Sequence, residues 1–110
     1  MLKIHVGKGE EVMNVATTFL AKRKIKEGAF VSIIGAVDEC CVKNMTRKNS
    51  GKYTSKTYKE SLELSGTGEV RDGVPHIHCV LGREDKSTIT GHLEWARVTS
   101  WYVNLYLLAL

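Results

Sequence analysis

The sequence predicts an α+β domain, a mainly antiparallel sheet packed with one principal helix, and three observations carry that prediction. Only residues 10–26 show the three- and four-residue apolar repeat of an amphipathic helix. Most other apolar residues alternate with polar ones or stand in short β-branched runs, which suits strands. The segments between those runs are turns too short for a parallel crossover, so sequential strands run antiparallel. At 110 residues and 43% hydrophobic, the chain is sized for a single domain, residues 1–110, with a small core. A domain this small gains readily from association with copies of itself.

The opening MLKIHV reads as a strand carrying His5 and not as a signal peptide. In the helix, Val12, Val15, Ala16, Phe19 and Leu20 form the apolar stripe. Glu10 and Glu11 are expected in its first turn, and Lys22, Arg23, Lys24 and Lys26 crowd its last, each set matching the helix dipole. Gly28 is expected to close it in a left-handed conformation. AFVSIIGAV then reads as a buried strand bent or bulged at Gly35, with DECCVKNM as its antiparallel neighbour.

Between Glu39 and Glu60 there is no acidic residue, while Lys43, Arg47, Lys48, Lys52, Lys56 and Lys59 all fall there, around TRKNSGKYTSKT. This reads as a mobile basic loop or hairpin tip. SLELSGTGEV alternates as a half-buried strand before Gly66 and Gly68 loosen it, and RDG turns the chain into VPHIHCVL. After the turn GREDKS, the segments TITGHLEW and ARVTSWYVNLYLLAL supply the last strands. In the final one, Trp101, Val103, Leu105 and Leu107 should share one face, and Ser100, Tyr102, Asn104 and Tyr106 the other. The total is one helix and six to eight strands.

The formal charge of +4 tilts the surface toward anionic partners such as phosphates. Cys40, Cys41 and Cys79 are odd in number and lack CxxC spacing, which argues for reduced thiols packed as small apolar residues in a cytoplasmic protein. The longest apolar stretch, WYVNLYLLAL, is interrupted by Asn104 and too short to span a bilayer, so no membrane role is expected.

The chemistry concentrates in GVPHIHCVLG. The two-residue period of a strand puts His76, His78 and Val80 on one face and Ile77, Cys79 and Leu81 on the other. Two neighbouring imidazoles can bind one metal ion, and GHLEW offers a third ligand, His92, with Glu94 on the same side of its strand. Three histidines and an open position make a catalytic or exchangeable zinc-type arrangement; satisfied histidines at a subunit interface are the plainer alternative. Other chemistries find no support: GxSxG, GxxxxGK[ST] and dinucleotide-binding patterns are absent, and Cys79 faces away from its neighbouring histidines.

GEEVMNVATTFLAKRKIKEGAFVSIIGAV, then LELSGTG, then GVPHIHCVL, then ITGHL closely resembles the PPC domain (plants and prokaryotes conserved), also described as a PD1-like DNA-binding motif. The resemblance spans nearly the whole chain. It implies a small α+β fold, a homotrimer, and correspondence of His76, His78 and His92 to the family's histidines, where some prokaryotic members bind metal, zinc foremost. Plant members carry AT-hook segments beside the domain, but no Arg-Gly-Arg core occurs here, and TYKES replaces the plant arginine- and phenylalanine-containing segment before LELSG. The chain thus resembles a stand-alone prokaryotic member.

The leading expectation is a cytoplasmic, homotrimeric DNA-binding protein that contacts phosphates through Lys22, Arg23, Lys24, Arg47, Lys48, Lys52 and Lys56, beside a histidine metal cluster. The rival is a zinc-dependent enzyme or small-molecule binder in which His76, His78 and His92 hold the metal and Glu94 is an acid/base or supporting group.

Overall fold

A computed structural model describes residues 1–110. In chain order the elements are β1 (Leu2–Val6), α1 (Val12–Arg23), β2 (Glu27–Val37), β3 (Glu39–Thr46), β4 (Asn49–Tyr58), β5 (Leu62–Arg71), β6 (Val74–Gly82), β7 (Thr88–Arg97) and β8 (Val103–Ala109). The eight strands form one sheet in the order β1-β8-β2-β5-β6-β7-β3-β4, and every neighbouring pair is antiparallel. The predicted α+β class is the observed one.

Hairpins dictate three of the seven neighbouring pairs, β3–β4, β5–β6 and β6–β7. Asp72 and Gly73 both take positive φ, 51° and 80°, as a two-residue hairpin turn between right-twisted strands requires. That turn sets Arg71 opposite Val74, and each further pair follows by counting, to Glu69 opposite His76 and Thr67 opposite His78. The 43–59 segment is also a hairpin, β3–β4, with its turn at Arg47–Lys48. β4 is an edge strand, and all its residues but Tyr58 are exposed.

DECCVKNM forms a strand but not beside AFVSIIGAV: β2 pairs with β5 and β8, while β3 pairs with β4 and β7. The irregularity of β2 lies at Val31–Ser32 and not at Gly35, letting Phe30 and Ile33 both face inward. Gly35 is needed instead for close backbone approach, since a Cβ there would collide with the Tyr102 carbonyl.

The helix starts and stops differently from its sequence reading. Glu11 is its N-cap: the carboxylate accepts from Met13 N (2.9 Å) and Asn14 N (2.8 Å), and also from Ala96 N of β7 (2.8 Å). Glutamate is not among the favoured caps, but its extra methylene lets one carboxylate serve both the helix start and the sheet. At the other end Lys24, at φ 55°, takes the left-handed position expected of Gly28, which already belongs to β2.

α1 packs on β1 at one end of the strand order and on β6 and β7 far along it. The segment after β1 also bonds to the segment after β7, through Gly9 N to Val98 O (2.8 Å) and Val98 N to Glu10 O (3.0 Å). The sheet therefore curls around the helix. Alternate residues of every strand except β4 point inward and, with Val12, Ala16 and Leu20 of α1, form a core of 23 buried residues. On β8 the inward face is Val103, Leu105 and Leu107; Trp101 precedes the strand and is exposed. No helix is long and apolar enough to cross a membrane.

Candidate functional site

On β6 the inward set is Ile77, Cys79 and Leu81, so His76, His78 and Val80 face outward, as strand periodicity requires. The register then builds a row across four strands: Thr67 on β5 pairs with His78, His78 with His92 on β7, and His92 with Lys43 on β3. The His78 and His92 rings are 5.5 Å apart between centroids, and His76 and His92 are 5.9 Å apart. The structure thus brings His76, His78 and His92 side by side.

Glycines make this geometry accessible. Gly66 and Gly68 do not loosen β5, which is continuous; a Cβ on either would run into the backbone carbonyl of His78 or His76. Bare backbone at both positions lets β5 lie tightly against the histidine strand.

The histidines line a broad open depression of about 1020 Å³ on the outer face of the sheet. Its cations besides histidine are Lys43 and Arg71, its hydroxyls belong to Ser32, Tyr53, Ser65, Thr67 and Thr90, and no aspartate or glutamate lines it. Arg71 Nη2 lies 3.2 Å from His76 Nδ1. A guanidinium can only donate, so Nδ1 of His76 is the unprotonated, accepting nitrogen in this contact. Burial first, and then the Lys43 ammonium and the other two imidazoles, hold His92 below the ordinary histidine range.

The donor chemistry fits a divalent metal. Imidazoles are good zinc ligands, and with zinc–nitrogen bonds of about 2.0–2.1 Å, two rings sharing a tetrahedral ion have centroids about 5 Å apart. The observed 5.5 and 5.9 Å are close to that spacing. As their rotamers stand, the nitrogens do not form a group of three donors converged on one point. Convergence on one ion would require the exposed or half-buried rings to turn.

Glu94 is placed elsewhere. A bulge in β7 leaves it without a partner on β3, where Val42 pairs with Leu93 and Cys41 with Trp95. Its carboxylate accepts from Ser55 Oγ (2.9 Å) and Cys41 Sγ (3.3 Å), and these two bonds, Ser55 first, hold it below the usual carboxylate range. It lines a separate, smaller depression with Glu11, Glu39 and Arg97. Cys79 is buried on the inner face, its thiol pushed up to about 12 by burial, and is no nucleophile for the histidine depression.

The basic residues divide into two groups. β3 and β6 run in the same direction, so the Arg47–Lys48 turn lies at the opposite end of the sheet from the Asp72–Gly73 turn. Lys26, just past the helix end, bonds through its carbonyl to Gly73 N (3.0 Å), which puts Lys22, Arg23 and Lys24 near that far turn. Arg23 stacks on Phe19 at 3.8 Å, and Lys56 lies 5.1 Å over Tyr58. The hairpin group, Arg47, Lys48, Lys52 and Lys56, does not merge with the helix-end group.

The model of the Plants and Prokaryotes Conserved (PCC) domain matches residues 2–110. The chain belongs to this family. Solved structures similar to this PCC domain include a plant- and prokaryote-conserved protein of Pyrococcus horikoshii, 26% identical, with a TM-score of 0.79 over 99% of this chain and 79% of that one. A metal-containing protein of Archaeoglobus fulgidus is 28% identical, with a TM-score of 0.75 over 98% of this chain and 79% of that one. A candidate DNA-binding protein of Bacteroides thetaiotaomicron, 24% identical over 94% of this chain and 75% of that one, has a TM-score of 0.79 and shows the shared fold alone. No curated protein matches the chain.

Sequence reasoning found the three histidines of the PCC domain but missed two residues at their flanks. Arg71 was passed over as part of a turn, although counting back from Asp72–Gly73 already sets Glu69 opposite His76 and Arg71 two residues beyond on the same face. Lys43 falls within the strand DECCVKNM and counts among the basic residues of the loop or hairpin tip, and only the β3–β7 pairing reveals that it faces His92.

Proposed function

We propose that this PCC domain is a metal-binding protein whose outer sheet face forms a small-molecule site, with His76, His78 and His92 holding a zinc-type ion. The observation that carries this reading is the direct cross-strand pairing of His78 with His92, with His76 beside them, in a depression that holds no carboxylate. Its likeness to the metal-containing archaeal protein supports it. When bound, such an ion would polarise a ligand oxygen or lower the pKa of a bound water. The protein's own contribution is to fix the imidazoles on rigid strands and to supply Arg71 and Lys43 beside them. Titration of zinc into chelator-treated protein, followed calorimetrically, should show one site per chain that a His76→Ala, His78→Ala double variant loses; equal binding by that variant would refute the assignment.

The assembly proposed is the homotrimer that the sequence resemblance implies. Supporting association are apolar side chains left open on the outer face, Val31 (46% exposed), Ile34 (57%) and Val80 (43%). A reducing, cytoplasmic setting is supported by three unpaired thiols.

A second reading, DNA binding, draws on the projecting β3–β4 hairpin, where Arg47, Lys48, Lys52 and Lys56 lie with no acidic residue among them. Such contacts would be to phosphates, with steep salt dependence and little sequence preference. Mobility shifts of duplex DNA at low salt, abolished by charge-neutralising the four residues, are the expected result; no retardation by the wild type would end this reading.

A further inference from the structure

We propose that the histidine depression binds a small organic molecule through an anionic oxygen group, a carboxylate or a phosphate, held between Arg71 and Lys43. The inference rests on reading the three histidines as the ligand site, and adds the class of ligand.

Charge placement carries it. Arg71 stands beside His76 at the β5 side of the trio, and Lys43 stands opposite His92 at the β3 side, so one cation flanks each end. None of the 19 residues around the depression is acidic. Lys43 makes no ion pair, since the salt bridges of the molecule are Arg71–Glu69 and Arg83–Glu60; its ammonium rests 4.8 Å over the Tyr53 ring. Arg71 meets Glu69 through Nε at 3.1 Å, a solvent-exposed pair that holds it only weakly, and spends Nη2 on the lone pair of His76. That lone pair is a poor substitute for a carboxylate or phosphate, which a guanidinium fork grips with two parallel bonds.

Metal binding would sharpen this preference. If His76 ligates through Nδ1, its lone pair is consumed. If it ligates through Nε2, Nδ1 carries the proton and faces the guanidinium donor to donor. Either way Arg71 is released from His76, and an added divalent charge raises the demand for an anion in the depression. Met45 and Tyr53, both exposed at the rim of the depression, offer apolar surface for the carbon skeleton.

The test is titration of the purified protein, with its metal content measured in the same preparation, using inorganic phosphate and malonate as probes. Histidine side-chain NMR resonances and calorimetry report binding. The expected result is saturable binding of at least one probe, weakened about tenfold or more by Arg71→Gln and by Lys43→Gln, with Lys3→Gln on β1 unchanged. Phosphate alone, malonate alone or both would each support the anionic group and name its source. Absence of saturable binding at millimolar probe, or affinity equal in all variants, overturns the proposal. Metal retained without anion binding refutes this inference and leaves the metal reading standing, whereas anion binding in a protein that takes up no zinc does the reverse.

Discussion

His78 and His92 are register partners across β6 and β7, their rings 5.5 Å apart on the solvent side of the sheet. Sheet geometry alone makes such partners neighbours, whatever their chemistry. Their position on the outer face, away from the core, means the fold does not depend on them. In metal-free protein, His78→Ala should change unfolding free energy by less than about 0.5 kcal/mol, because the side chain is exposed and fills no cavity. Chemical denaturation checks this; a large loss would make the histidine structural.

Glu11 is the opposite case. It is 8% exposed and accepts three backbone N–H groups, two from the first turn of α1 and one from Ala96. Glu11→Ala strands all three donors and should cost about 2–4 kcal/mol, with Glu11→Gln recovering part through its remaining carbonyl. Urea midpoints of the two variants test the ranking.

Gly68 lies where a Cβ would collide with the His76 carbonyl, which is backbone and cannot swing aside. Gly68→Ala should therefore destabilise by about 1–3 kcal/mol. It should also displace the His76 resonances, and unchanged spectra would show that the close β5–β6 approach does not govern the site.

Burial pushes the Cys40 thiol up to about 11 and the Cys79 thiol up to about 12. The unfolded chain ionises its thiols near their ordinary pKa of about 8.5, so above that pH the unfolded state binds fewer protons than the native one. Their contribution is intact below the unfolded value, declines as pH rises, and is lost once the folded values are passed. A Cys79→Ala variant, though less stable at neutral pH, should lose less stability than wild type between pH 9 and 12. Parallel pH slopes for the two proteins would contradict the assignment.

Much of this was legible in the chain. Alternation along VPHIHCVL fixed the outward face of the histidines, and the RDG turn fixed the β5–β6 register by counting. The pairing of His78 with His92 depended on how GREDKS closes, and a polar turn does not declare its register. The bulge that diverts Glu94 toward Ser55 and Cys41 has no local signature in HLEWAR, so strand alternation could give only the face of Glu94 and not its partners. Likewise β3 was paired with the wrong strand, because adjacency in sequence favours hairpins and the burial of Cys40 and Val42 against β7 is a tertiary choice. The cap by Glu11 was hidden for the same reason: one of its three bonds comes from a residue 85 positions away.

The most direct test of the histidine site is elemental analysis of protein purified without added metal and dialysed exhaustively, for the wild type and for His76→Ala, His78→Ala and His92→Ala. The account predicts about one zinc-type ion per chain in the wild type and marked depletion in all three variants. A metal-free wild type, or metal retained undiminished in all three variants, would contradict it.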